Sequence, residues 1–185
     1  MNTPPQRLFV AIDMPWSSRS DLVKLDPGMR GLRWLRAEEM HLTLSFLGNV
    51  ISAEARALLH ERLASVRVPA FCLPLASLGS FAARGRPSVV WIGVGRGHPH
   101  LFALHKKIQD AVLSAGLQPD LRAFKPHVTL ARCGPALARG DLQRFLKMHA
   151  AFEAGMFAVS SYALYSSELT PDGAIHRREA EFALP

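Results

Sequence analysis

The sequence predicts an α+β protein whose strands are largely antiparallel and whose helices are interspersed among them. Three observations lead there. Short runs alternate apolar with polar residues, the period of a half-buried strand. Longer stretches repeat apolar residues at helical spacing, as at Leu101, Leu104, Ile108 and Val112. Most strand-like runs are followed by another one, or by one helix and then a strand, so that neighbours in sequence can pair.

In order, RLFVAID (7–13) reads as a buried strand rich in Phe, Val and Ile, ended by Pro15 and a Ser pair. Ser17 or Ser18 caps a helix toward Leu25, and Pro27-Gly28 closes it. LRWLRA (32–37) is a short extended piece. HLTLSFLG (41–48) sets His, Thr and Ser against Leu, Leu and Phe, so it is a strand. Ser52 caps a helix to about Val66, with Ala55, Leu58, Leu59, Leu63 and Val66 on one face. Segments 70–81 and 88–95 form a hairpin through a turn at 84–87. His100 to Ala115 is a long helix ended by Gly116. A loop over 117–126 leads to HVTLARC (127–133), a second alternating strand. A helix follows from about Pro135 to Met148, and 153–165 is extended. The last stretch is a hairpin turning at Pro171-Asp172-Gly173. The second half echoes the first as strand, helix and His-x-Thr strand, with no low-complexity linker between them. One domain over 1–185 is expected, made of two lobes related by approximate duplication.

The bulk properties narrow the function. Hydrophobic residues make up 49% of the chain and charged residues 20%, an ordinary globular balance that excludes a disordered or fibrous protein. The net charge is +7, which fits either an anionic partner such as nucleic acid or a phosphate ester, or simple solubility. Cys72 and Cys133 form no CxxC pair, so no disulfide framework is expected and a reducing compartment is. The first residues lack the pattern of a signal peptide, and no apolar run reaches the length of a membrane span. The expected location is the cytoplasm, with no membrane partner and a monomeric state.

The chemistry lies in the repeated His-x-Thr. Residues i and i+2 of a strand share a face. His41, Thr43 and Ser45 therefore share one face, opposite Leu42, Leu44 and Phe46, and Phe46 is expected in the core. His127 and Thr129 likewise oppose Val128 and Leu130. Two such pairs across a groove would place a proton acceptor and a proton donor on either side of a substrate, because imidazole titrates near ~6.5. The hydroxyls would donate to phosphate oxygens, and no metal or cofactor is required. A zinc site fits poorly, since there is no HExxH and no spaced Cys pair. The bland alternative, two polar residues on a half-exposed strand, is weakened by the second copy of both side chains at the same spacing.

The chain resembles the 2H phosphoesterases, named for paired His-x-Thr motifs. Within them it is most similar to the bacterial and archaeal RNA 2′,3′-cyclic phosphodiesterases, also called 2′-5′ RNA ligases. The likeness rests on RLFVAIDMP (7–15), RWLRAEEMHLTLSFLG (33–48), SVVWIGV (88–94), FKPHVTLAR (124–132) and LYSSELTPDG (164–173), five segments in the family's order. It implies a bilobal α+β fold, two mostly antiparallel sheets with helices outside and one His-x-Thr strand per lobe lining a central cleft. It implies opening of a terminal RNA 2′,3′-cyclic phosphate to a 2′-phosphate, and possible reversal to a 2′-5′ bond. His127 would be the general base, His41 the general acid, and Thr43 and Thr129 the phosphate-binding hydroxyls.

Arg132 is a further phosphate candidate, although strict alternation points it away from His127. Trp91 is read as packing or base stacking, and Lys125, Arg84 and Arg86 as loop charges that could touch an RNA backbone. His60 and His105 are read as surface or boundary residues. Ser166 and His176 depart from the family's pattern, and neither is expected to touch the His-x-Thr pairs. Two other readings stay open. One is another 2H reaction, on 2′-5′ linkages or a cyclic nucleotide. The other is a non-catalytic module that binds RNA ends.

Overall fold

A computed structural model of the chain describes residues 6–50, 52–95, 98–170 and 173–185. In chain order its elements are β1 (Gln6–Asp13), α1 (Trp16–Val23), β2 (Leu32–Trp34), a 3₁₀ turn (Ala37–Glu39), β3 (His41–Val50), α2 (Ala53–Ala64), β4 (Phe71–Ala83), β5 (Arg86–Val94), α3 (Pro99–Ser114), β6 (His127–Cys133), α4 (Arg139–Met148), β7 (Glu153–Val159), β8 (Ser161–Thr170) and β9 (Gly173–Ala183). The architecture is α+β, as the sequence predicts.

The strands run in the order β7-β4-β5-β6-β3-β1-β8-β9, with β2 also paired to β6, and each pairing is antiparallel. The two His-x-Thr strands are neighbours at the centre. They touch through one paired position, Leu42 with Val128, so the two groups of strands join into one nine-stranded sheet that parts on either side of that contact. Leu42 and Val128 are fully buried. They anchor a core that also takes Leu59 and Leu63 from α2, Leu101, Leu104, Ile108 and Val112 from α3, and Leu142 and Phe145 from α4.

Local chemistry explains most boundaries. The Ser52 hydroxyl accepts from the Ala55 N–H and caps α2 as expected. The β4–β5 hairpin turns on Arg84 and Gly85, both with positive φ (51° and 75°), the conformation that a two-residue hairpin loop demands. Two helix starts differ from expectation. α1 begins at Trp16 behind Pro15, with Ser17 and Ser18 inside the helix rather than capping it. α4 begins at Arg139, because Gly134 to Leu137 close a turn first (Leu137 N–H to Gly134 O, 3.2 Å). That turn presses on Gly31, where an added Cβ would lie 2.3 Å from the Leu137 nitrogen. β8 and β9 pair as the closing hairpin, while its expected turn at Pro171 and Asp172 lies outside the described residues. No described helix is long and apolar enough to cross a membrane.

Candidate active site

The Leu42–Val128 pair defines the site. Directly opposed residues of an antiparallel pair share a face, so Leu42 and Val128 both point into the core and their neighbours point the other way. His41, Thr43, His127 and Thr129 are all half-buried on that other face. Continuing the register sets His41 beside Thr129 and Thr43 beside His127. An approximate two-fold axis through the pair exchanges the motifs, and His127 stands roughly 7 Å along β6 from the position opposite His41.

Beyond each Thr the alternation slips. On β3, Ser45 pairs with Val10 and Thr43 with Ala11, so Leu44 is an extra residue. On β6, Ala131 pairs with Val90 and Thr129 with Trp91, so Leu130 is extra. Each is a β-bulge, which shifts the following side chains to the other face. Two expectations change as a result. Phe46 is 45% exposed and lies on the His41 face, not in the core. Ser45 is the residue turned inward, where its hydroxyl donates to Gln109 Oε1 at 2.8 Å. The second bulge brings Arg132 to the His127 face, against the strict parity of its position.

Both imidazoles are oriented by a backbone carbonyl two residues upstream. His127 Nδ1–H donates to Lys125 O at 2.6 Å, which leaves Nε2 free to accept a proton. The His41 ring bonds the Glu39 carbonyl. Phe81 meets the His127 ring edge-on at 4.8 Å, and Trp91 lies 6.4 Å away. Trp91 is a packing residue. Its ring covers Gly79, where a Cβ would fall 2.3 Å from ring carbons.

His41 sits in an aromatic cluster. Phe9 stacks on it at 5.0 Å and on Tyr165 at 5.2 Å. His176 meets His41 edge-on at 5.3 Å and Phe9 at 5.0 Å. This corrects the expectation that His176 stays clear of the motifs. The β8–β9 register pairs His176 with Ser167, and β1 carries Arg7 next to Ser167, so the hairpin folds its distal end over the site. Asp13 is the cross-strand partner of His41 and is held by Arg19 at 3.0 Å, by the Tyr165 hydroxyl at 2.5 Å and by Arg178 at 3.4 Å.

Electrostatics separate the two imidazoles. Burial first and the neighbouring His176 second push His41 down to about 4, against the Glu39 carbonyl and the Asp13 carboxylate, which oppose that shift. Burial also lowers His127; the Lys125 carbonyl opposes this, and the Arg132 charge adds to it. His176 is lowered by burial too, and it feels Glu39 and Arg132. Arg132 therefore acts on imidazoles contributed by both groups of strands. Among the described residues no three His, Cys, Asp or Glu side chains gather as metal ligands would.

Of the remaining candidates, Lys125, Arg84 and Arg86 are exposed, and Ser166 is buried with its hydroxyl on Glu179. His105 is half-buried, and its Nδ1–H donates to the bulge carbonyl Leu44 O at 2.9 Å.

A protein-family model for the 2′-5′ RNA ligase superfamily matches residues 24–171, most of the chain and both His-x-Thr strands. The chain belongs to that superfamily. The RNA 2′,3′-cyclic phosphodiesterase of Aeropyrum pernix is 38% identical over 146 residues, covering 79% of this chain and 82% of that protein. The protein of the same name from Escherichia coli K12 is 33% identical over 171 residues, covering 90% and 94%. The apo crystal structure of E. coli LigT superposes with a TM-score of 0.79 at 29% identity, over 98% of this chain and 99% of that one. These superfamily relatives are cyclic phosphodiesterases by name, hydrolases of the 2H type.

Proposed function

We propose that this chain hydrolyses a terminal RNA 2′,3′-cyclic phosphate to a 2′-phosphate, using His127 as general base and His41 as general acid. The observation that supports it most is the antiparallel contact at Leu42–Val128, which turns both His/Thr pairs to one face about an approximate two-fold axis. The names of the similar proteins favour the same reaction.

His127 Nε2 takes a proton from water as the water oxygen attacks phosphorus. The bond from phosphorus to O3′ breaks, and His41 gives its proton to O3′. The product carries a 2′-phosphate and a free 3′-hydroxyl, and solvent exchange resets both rings. An in-line displacement needs the base and the acid on opposite sides of phosphorus, and the two-fold arrangement supplies that. Thr43, Thr129 and Arg132 donate to the nonbridging oxygens, where negative charge builds. Each proton transfer typically contributes ~10²–10⁴-fold. Two imidazoles and three fixed donors provide every proton and charge the step requires, so neither metal nor cofactor enters it.

The neighbouring charges favour this division of labour. Arg132 helps to keep His127 neutral, as a base must be, while Asp13 favours a proton on His41. Burial holds His41 neutral in the empty site, and a bound phosphate anion reverses that, so substrate arrival charges the acid. With an RNA 5′-hydroxyl in place of the attacking water, the same groups would join ends through a 2′-5′ bond: His127 takes the hydroxyl proton, the bond from phosphorus to O3′ breaks, and His41 protonates O3′.

The test is a short RNA ending in a 2′,3′-cyclic phosphate, incubated in EDTA with wild type, His41→Ala and His127→Ala. Wild type should yield only the 2′-phosphate, and each variant should lose at least ~10²-fold in kcat. Filter retention of an unaltered RNA by wild type would replace this reading with the binding module.

A further inference from the structure

We infer that the rim formed by β2 and β6 is a second phosphate subsite, which holds the phosphodiester on the 5′ side of the cyclic end through Arg33, with Arg132 shared between that phosphate and the cyclic one. The inference rests on the reading of the function given above.

Arg33 and Arg132 are directly opposed across the β2–β6 pair, so their side chains leave the sheet on one face, the face of His127 and Thr129. Like charges in that position repel and weaken a sheet. Compensation within the protein is incomplete. Glu39 lies 3.5 Å from Arg33, but the same carboxylate is shared with Arg36 Nε at 3.4 Å. Among the described residues no carboxylate pairs with Arg132. One carboxylate is thus divided between two guanidinium groups and Arg132 has none among the described residues, so the rim keeps an excess of positive charge on fixed strands. An anion bridging Arg33 and Arg132 would remove the repulsion.

The shape suits a nucleic-acid backbone. Gly31, Leu32, Arg33, Arg132, Cys133 and Gly134 line an open groove. Its floor is backbone, where the Gly134 N–H donates to Gly31 O at 2.7 Å. Leu32 and Cys133, the adjacent pair of the same ladder, turn to the other face and pack against the core, which fixes the two strands beneath the arginines. The groove also continues from the site. Arg132 is three residues beyond Thr129 on β6, roughly 10 Å of strand. A cyclic phosphate terminates its RNA at the 3′ end, so the only further phosphates lie on the 5′ side. The occupant is therefore a single-stranded ribonucleotide phosphodiester, gripped through its charge and not through its base.

The experiment compares a nucleoside 2′,3′-cyclic phosphate with a dinucleotide that ends in the same cyclic phosphate, for wild type, Arg33→Gln and Arg33→Lys. Wild type should prefer the dinucleotide about tenfold in kcat/KM, the scale of one charge-assisted hydrogen-bond pair. In Arg33→Gln the dinucleotide should fall to the mononucleotide value of the same variant, and Arg33→Lys should retain part of the preference. The slope of log kcat/KM against log salt for the dinucleotide should also flatten by about 0.7 in Arg33→Gln, one phosphate contact fewer on a single strand. A wild type without preference, or an Arg33→Gln variant that keeps the full preference or loses equally on both substrates, overturns the subsite while leaving the hydrolase intact. A wild type that turns over neither substrate overturns the hydrolase reading, and the subsite with it.

Discussion

At the scale of single residues, His176 is the one that strict motif reading passes over. It comes from the far end of the chain, and nothing in IHRR marks it as a neighbour of His41. Its place follows from the β8–β9 and β1–β8 registers, which are tertiary facts. His41, Thr43, His127 and Thr129, by contrast, are legible because period two and a repeated spacing suffice to group them. The neighbouring His176 is the second cause, after burial, of the lowered His41 pKa, within a setting where Glu39 and Asp13 act the other way and Arg19 with it. Replacing His176 by Phe keeps an aromatic ring against Phe9 and removes the titratable charge. The His41 pKa should then rise. His176 is itself held below its usual pKa, so it carries charge only in acid, and its effect on His41 belongs there. The expected result is a His41 ring that titrates at higher pH in His176→Phe, read from its imidazole NMR signals across the acid range. A titration that stays in place, or moves toward acid, would show that His176 does not tune the acid.

At the scale of elements, the bulges decide which side chains meet the substrate. Both His-x-Thr strands carry the same burial sequence over six residues, half-buried and buried in alternation through the Thr, then two buried positions and an exposed one. Phe46 and Arg132 occupy the equivalent sixth place. Strict alternation misplaces both, because a bulge reflects backbone pairing with the next strand and leaves no mark in composition. What holds the first bulge is visible only in three dimensions. His105 on α3 donates to Leu44 O, and Gln109, one turn on, accepts from Ser45 and donates to Asp120 O at 2.6 Å. His105 also stacks on Phe124, at 3.9 Å, in the approach to His127. α3 thus ties the β3 bulge to the loop before β6. Gln109→Ala leaves the buried Ser45 hydroxyl without its acceptor and frees the loop. It should cost about 1–3 kcal/mol in urea unfolding and lower kcat. Unchanged stability together with unchanged kcat would show that the bulge stands without α3.

At the scale of the whole molecule, the site is built at some expense to the fold, and pH should reveal it. The folded-state pKa values of His41, His127 and His176 are all lowered, that of His41 to about 4. In the unfolded chain they return to ~6.5. Above that pH the rings are neutral in both states and contribute nothing to pH dependence. As the pH falls from ~6.5 toward 4, the unfolded chain binds protons that the folded chain refuses, so stability drops across that window. A phosphate anion placed between the imidazoles changes the sign of the problem. It favours their protonated forms, raises their folded-state pKa values and recovers the lost stability as binding energy. Inorganic phosphate should therefore raise Tm more at pH 5 than at pH 8, and the excess should vanish when His41 and His127 are both replaced by Ala. Phosphate also stabilises proteins generally by exclusion from their surfaces, which makes that double variant the deciding arm. Equal gains at both pH values, or an excess that survives the double replacement, would mean that the anion does not sit between the two imidazoles.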